Sequence, residues 1–388
     1  MRFSIKKYIL VVLFSCFPME PLLASSAQYA VIVDAGSSGS RAHVFEYTTS
    51  LPVPAIKDIF SQSSTPGLSS YANTPAAAGA SLKPVLDAAA QALQDQGVNL
   101  SQVPVSVLAT AGMRLLPPAQ QDAIYASVSS YIQNHYAFSL SPQNIGTISG
   151  TMEGVYGWLD VNYLLHHFDN PGATTTVGHI DMGGASTQIA FATTDTSKPN
   201  NEVVVTIDHT PYRVFSQSFL GLGLNEARDT MAASAGAASC FPEGYPSGSD
   251  TGMFNFMPCS DIYAGMIQRF DVTQHLLPTA GVSFIASSGA YYTYRFFHVL
   301  QTPSQSALES QINGNCYLPW SQLQKNFPSE SSAFLSSYCA NATYLDHLLY
   351  TTYQLQASQL RVANELNGTG IDWTLGALLY RLVQEEPT

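Results

Sequence analysis

A short pattern that occurs twice constrains this chain more than any other feature. Tyr29 to Val33 is an apolar run that ends in Asp34, passes through a Gly/Ser-rich turn and continues as the alternating stretch Arg41 to Tyr47. The same order returns at Val177 to Ile180, with Asp181, a Gly/Ala/Ser turn and then Gln188 to Ala192. An apolar run, a turn and an alternating run read as strand, tight loop, strand. Set side by side, Asp34-Ala-Gly-Ser-Ser-Gly-Ser and Asp181-Met-Gly-Gly-Ala-Ser-Thr agree in residue type at nearly every step. An internal duplication is therefore expected, with one copy in each half.

Between the copies, Ala76 to Gln94 has helical spacing, Pro104 to Leu108 is a β-branched run and Pro118 to Tyr136 is helical again. Strands alternating with helices predict an α/β fold. Thr151 to Phe168 places Met152, Val155, Leu159 and Leu164 near one face and stops before the breaker at 169–172, which puts Glu153 in a first helical turn. Ala232 to Gly252 is rich in small residues and holds Cys240, as a stapled surface excursion would. Ile371 to Val383 predicts an amphipathic closing helix. At 388 residues the chain exceeds one ordinary core. With roughly 100 to 200 residues per domain, two lobes are expected.

A Gly-rich turn leaving a strand can aim several backbone N–H groups at one point and hold a phosphate without net positive charge. The carboxylates Asp34 and Asp181 add affinity for a hard cation such as Mg²⁺, which takes carboxylate, water and phosphate oxygens. One such turn alone is equally served by an aspartate bonded to its own backbone; the matched pair is what points to a site. There is no G-x-x-x-x-G-K-[ST], no G-x-S-x-G and no H-E-x-x-H. The P-loop, a serine-hydrolase role for Ser38 or Ser186, and a zinc hydrolase are thereby set aside. The formal net charge of −12, from 15 Lys+Arg against 27 Asp+Glu, leaves no basic surface for counterion release, so no nucleic-acid partner is expected.

The first 27 residues read as an export signal, with Arg2, Lys6 and Lys7 ahead of the apolar run Tyr8 to Phe17 and a small-residue zone from Leu22 to Ala27. That run falls short of the ~20 residues that span a bilayer. After cleavage the protein is expected to be secreted or periplasmic, monomeric and without a stable membrane anchor. Cys16 leaves with the signal, and Cys240, Cys259, Cys316 and Cys339 remain. An even count in an exported chain implies disulfides. Three pairings are open, and nearest-neighbour closure favours Cys240 with Cys259 and Cys316 with Cys339.

Five segments together resemble the apyrases, or nucleoside triphosphate diphosphohydrolases, of the actin, Hsp70 and sugar-kinase superfamily. They are Asp34 to Arg41, Ala109-Thr-Ala-Gly-Met-Arg114, Gly150 to Trp158 with Asn162-Tyr-Leu, Asp181 to Gln188, and Ser218-Phe-Leu-Gly-Leu-Gly223; Trp373-Thr-Leu-Gly is similar to the family's last helix. The resemblance implies two RNase H-like, actin-like α/β lobes with mixed sheets flanked by helices and an active site in the cleft between them. Lobe I would comprise 28–149 with 371–388, and lobe II 150–370. It implies hydrolysis of nucleoside tri- and diphosphates to the monophosphate, in a secreted bacterial member. Asp34 and Asp181 would hold a divalent cation, Mg²⁺, Ca²⁺ or Mn²⁺, through its waters. Ser37, Ser38, Gly39, Gly183, Gly184 and Ala185 would cradle phosphates, supported by Arg41, Thr110 and Arg114. Glu153 would act as general base, with Ser186 and Gln188 positioning the attacking water. Tyr344 would stack on the nucleobase, or else pack in the core. Two competing readings are an exopolyphosphatase-like hydrolase, for which a basic groove is lacking, and a catalytically silent nucleotide-binding sensor, against which Glu153, Ser186 and Gln188 stand together.

Overall fold

A computed structural model describes residues 27–49, 52–170, 175–248 and 250–384; the expected export signal and Cys16 lie outside them. Both copies of the repeated pattern are strand pairs. The first is β1 (Gln28–Ala35) with β2 (Ser40–Thr48), joined by the turn 36–39. With β3 (Ala55–Ser64), β4 (Pro104–Ala109) and β5 (Ser139–Thr147) they form a five-stranded sheet in the order β3-β2-β1-β4-β5. Its helices are α1 (Ala78–Ser81), α2 (Lys83–Gln94), α3 (Ala111–Arg114) and α4 (Pro118–His135). The single helix expected over Ala76 to Gln94 is divided in two. Pro84 near the start of α2 has no N–H to give to the preceding turn, so α1 stops and α2 restarts around it.

After α5 (Gly150–Leu164), the second copy appears as β6 (Gly178–Met182) and β7 (Ser186–Ala192). β8 (Glu202–Ile207), β9 (Thr210–Leu220) and α6 (Leu224–Ala232) follow, then a small hairpin of β10 (Pro246–Ser247) and β11 (Asp250–Thr251). Next come α7 (Phe256–Arg269), α8 (Val272–His275), β12 (Phe284–Ser288) and α9 (Gly289–Phe296). The chain continues through α10 (Gln305–Asn315), α11 (Trp320–Asn326), α12 (Ser332–Leu345), β13 (Leu360–Val362) and α13 (Trp373–Gln384). The second sheet runs β13-β12-β6-β7-β9-β8. In each sheet the strand ending in the repeated aspartate lies between an antiparallel partner and a parallel one: β1 between β2 and β4, β6 between β7 and β12.

Alternation along these strands explains the layering. On β1, Val31, Val33 and Ala35 pack with α2 and α4, while Ala30 and Ile32 face the opposite way, toward α5 and α13. On β7, Ile189 and Phe191 join the core of the second sheet's outer helices, and Ala190 faces α5. The central strands of both sheets are buried on both faces, and α5 and α13 form the layer between the sheets. That position accounts for α5 being buried nearly all round, with Trp158 fully enclosed against Phe168 and Tyr212. The cysteines pair as Cys240–Cys259 and Cys316–Cys339. All four sulfurs belong to the second sheet's outer core rather than to a surface excursion. Among the described residues no helix is long and apolar enough to cross a membrane.

Candidate active site

The two repeated turns face each other. A Cβ at Gly184 would lie 2.6 Å from Ser37 Oγ, so the second turn comes into direct contact with the first. Its shape is fixed from behind: the carbonyls of Gly183, Gly184 and Ala185 accept from the N–H groups of Leu224, Asn225 and Gly221 at 2.9, 2.9 and 2.8 Å. Between the turns opens a cavity of ≈ 570 Å³. Asp34, Ser37, Ser38, Gly39, Arg41 and Thr110 line it from the first sheet. From the other side come Glu153, Asp181, Gly183 and Gly184.

Glu153 sits in the first turn of α5, which begins where Ser149 Oγ accepts the N–H of Met152 at 3.2 Å. The side chain is 7% exposed. Arg114 Nη2 donates to its Oε2 at 2.6 Å, and Gln188 Nε2 lies 3.1 Å from the same oxygen. Arg114 also reaches Ser186 Oγ at 3.0 Å and the carbonyl of Ile148 at 3.2 Å. Gln188 Nε2 lies 2.6 Å from Ser186 Oγ and 2.9 Å from Ser218 Oγ. With two hydrogens for three acceptors, the amide cannot satisfy all of them together. Alternation on β7 puts Ser186 and Gln188 on one face, which is why both meet α5. Burial pushes the Glu153 carboxyl up to about 7, against the pull of Arg114 and with a further push from Asp181.

The two aspartates behave as a cation site would require. Asp34 Oδ1 and Asp181 Oδ1 are both buried without a partner. Burial raises the pKa of Asp34 well above the usual range, and the charges of Asp372 and Glu153 add to it against His43 and Arg41. Asp181 is also raised, again mainly by burial, with a hydrogen bond from Ser288 opposing. Paired buried carboxylates with orphaned oxygens fit a hard divalent cation, which would relieve both costs. Among the described residues no group of three or more His, Cys, Asp or Glu converges as a full ligand set. Water and phosphate oxygens would therefore have to complete the coordination.

Not every expected residue reaches the cavity. Arg114, Ser186 and Gln188 stand behind Glu153, and Ala185 is buried in the turn's backing. Tyr344 requires a correction. It is 1% exposed, its hydroxyl donates to the carbonyl of Leu222 at 2.6 Å, and its ring packs against Tyr263. It is a core residue, held there by a satisfied hydroxyl. The exposed aromatics at the cavity are Tyr292 on α9 and Phe334 on α12, neither of them singled out by sequence. Ser287 and Ser288, also at the cavity, were missed as well. A signal existed: Ile285-Ala-Ser-Ser-Gly289 is like Leu108-Ala-Thr-Ala-Gly112 in type, and both leave the parallel neighbour of an Asp-bearing strand.

A site of two facing Gly/Ser turns, paired aspartates and a buried base is what a phosphate-cleaving enzyme needs, and comparison with known proteins agrees. The model of the GDA1/CD39 (nucleoside phosphatase) family matches residues 22–250 and 271–386. The chain belongs to this family. It is thereby an enzyme of the nucleoside triphosphate diphosphohydrolase class, acting on phosphoric anhydride bonds. It is 38% identical over 209 residues to a guanosine-diphosphatase of Schizosaccharomyces pombe, a match spanning 52% of this chain and 37% of that one. To ectonucleoside triphosphate diphosphohydrolase 2 of Mus musculus it is 29% identical over 427 residues, covering 94% of this chain and 84% of the relative. Among solved structures, nucleoside triphosphate hydrolase of Neospora caninum superposes with a TM-score of 0.68 at 15% identity, over 93% of each chain. This likeness bears on the fold, the two-sheet actin-like architecture.

Proposed function

We propose that this GDA1/CD39 family member removes the terminal phosphate from both nucleoside triphosphates and diphosphates, with Glu153 as the general base. The observation that carries the reading is the Glu153 carboxyl itself: buried at the cavity wall, held by Arg114 and Gln188, and pushed up to about 7. A base poised near the working pH is the most effective kind. Water bound beside Glu153 attacks the terminal phosphorus, its proton passes to Glu153, and the bond from phosphorus to the bridging oxygen breaks in line, while Arg114 and Gln188, both bonded to Ser186, hold the carboxylate from behind. The phosphate oxygens rest on the turns 36–39 and 183–185, with Arg41 at the mouth. Asp34 and Asp181 would hold a divalent cation, which would supply charge neutralisation for the phosphates. Such positioning and neutralisation are what a loose phosphoryl-transfer transition state demands.

In this reading residues 28–149 with 371–388 form one lobe and 150–370 the other, and the nucleobase stacks on Tyr292 or Phe334 at the cavity's edge. Two disulfides support an oxidising, extracytoplasmic location. The test is phosphate release from ATP, ADP, GTP, GDP and polyphosphate, with Mg²⁺ or with EDTA, for wild type and Glu153→Ala. Metal-dependent turnover of tri- and diphosphates that disappears in the variant is expected. Turnover of polyphosphate alone would transfer the case to an exopolyphosphatase, and nucleotide binding without turnover to a sensor.

A further inference from the structure

A second charged cluster lies against the cavity wall, and none of its central members takes part in activating water. His43 stands on β2 two residues beyond Arg41, on the same face, and is 4% exposed. Its Nδ1 meets Asp58 Oδ2 of β3 at 2.7 Å. Its Nε2 forms an ion pair with Asp372 Oδ2, 3.2 Å away, off the direction of an aligned hydrogen bond. Asp372 immediately precedes α13 and is engaged on every side. Its Oδ1 accepts from the N–H and the hydroxyl of Thr374 at 3.0 and 2.7 Å, and its own N–H donates to Asp160 Oδ2 of α5 at 2.9 Å. Arg41 Nη1 lies 3.5 Å from Asp372 Oδ2, and Arg41 Nε donates to Ser63 Oγ at 2.8 Å.

Three aspartates, Asp58, Asp160 and Asp372, therefore crowd one buried region beside a fourth, Asp34. The balancing charge at its centre is His43. Burial pulls its pKa down, but Asp372 and Asp58 outweigh that and push it up to about 10, so it is an imidazolium at neutral pH. Without it, the half-exposed Arg41 would be the one counter-charge left to Asp372 against Asp58, Asp160 and Asp34, and the carboxylate would be far less firmly held. Arg41, half in solvent, would then keep only Ser63 to hold a long and otherwise free side chain.

We infer that His43 is a positioning residue: it fixes Asp372, and Asp372 in turn holds Arg41 over the phosphate site and sets the first turn of α13, whose Trp373 forms part of the cavity wall. The inference rests on the reading of Arg41 as a phosphate-facing residue.

A double-mutant cycle tests it. Arg41→Ala, His43→Ala and the double variant are compared for kcat and KM on a nucleoside diphosphate, for Kd of its non-hydrolysable analogue, and for thermal melting. Asp372→Asn, alone and with Arg41→Ala, runs in parallel, because it keeps the side chain's size and its cap on α13. Each single variant is expected to weaken kcat/KM and Kd about tenfold, and each double variant to lose no more than its worse single. A purely structural role predicts a lower melting temperature and losses that multiply with Arg41→Ala; multiplied losses in the cycle overturn the inference. If His43→Ala does not fold, the Asp372→Asn cycle decides by the same criterion. Wild type that binds nucleotide without turning it over defeats the hydrolase reading alone, since the Kd cycle still reports the coupling. Wild type that binds no nucleotide defeats both.

Discussion

Glu153 has to be an anion to accept a proton, yet its burial favours the neutral acid. For a base, activity is gained as pH rises through the folded pKa, so kcat/KM should climb through about pH 7 and then level. Arg114 opposes the upward shift, so Arg114→Ala should move that limb to higher pH as well as slow the reaction, which a kcat/KM–pH profile would detect. The same shift has a stability consequence of fixed sign. A carboxyl whose folded pKa is raised stabilises the fold below its unfolded pKa, near 4.5, and that contribution is lost as pH rises to about 7. Melting temperature measured across this window should fall more for wild type than for Glu153→Gln, which has nothing to ionise. Glu153→Ala should itself cost ~10² to 10⁴ in kcat with nucleotide binding retained. At this scale the sequence was readable where position is set locally, as in the placing of Asp34, Glu153 and Asp181 at the cavity. It was not readable for Tyr344, because a tyrosine's burial depends on whether a distant carbonyl, here that of Leu222, meets its hydroxyl. His43 and Asp372 stayed hidden for a related reason: 329 residues separate two side chains that meet only because the segment entering α13 returns to the first sheet.

α5 carries Glu153, Asp372 immediately precedes α13, and the two helices lie against each other through glycine. A Cβ at Gly376 would sit 1.9 Å from the carbonyl oxygen of Tyr156, on the backbone of α5, where nothing flexible can yield. Gly376→Ala should therefore force the helices apart at a cost of ~1 to 3 kcal/mol or more. Urea unfolding would measure it, and a rise in KM should accompany it because Asp372 and Trp373 move with α13. Among the elements, β1 and β6 were legible as short apolar runs, β2 and β7 as the stretches that follow each turn, and α5 from its periodicity and the breaker after it. The division at Pro84 was visible in principle, since a proline inside a helical pattern interrupts the backbone ladder. The short β13 was not legible: its three residues pair with β12 only once α9 to α12 have returned the chain to the sheet's edge.

Over the whole molecule, the two disulfides lie in one place, the outer core of the second sheet, and close segments of 19 and 23 residues. Loops of that length are worth about 3 kcal/mol each in a chain-entropy account. Replacing either pair by alanines should lower unfolding free energy by roughly that amount, as read by denaturant titration, while leaving KM of the folded protein unchanged, since none of the four cysteines lines the cavity. The whole-molecule plan was the most legible level of all, because a pattern seen twice points to one copy in each half and the family resemblance adds two sheets with a site between them. What the repeat did not disclose is that the layer joining the sheets is built from α5, in mid-chain, and α13, some 209 residues after α5 ends. During synthesis, both sheets emerge from the ribosome while the slot between them is still half empty. On the proposed reading, a nascent chain should therefore stay inactive until residues 373–384 arrive, and translation that stops short should yield a protein with Glu153 and both aspartates but no wall of α13 beside them.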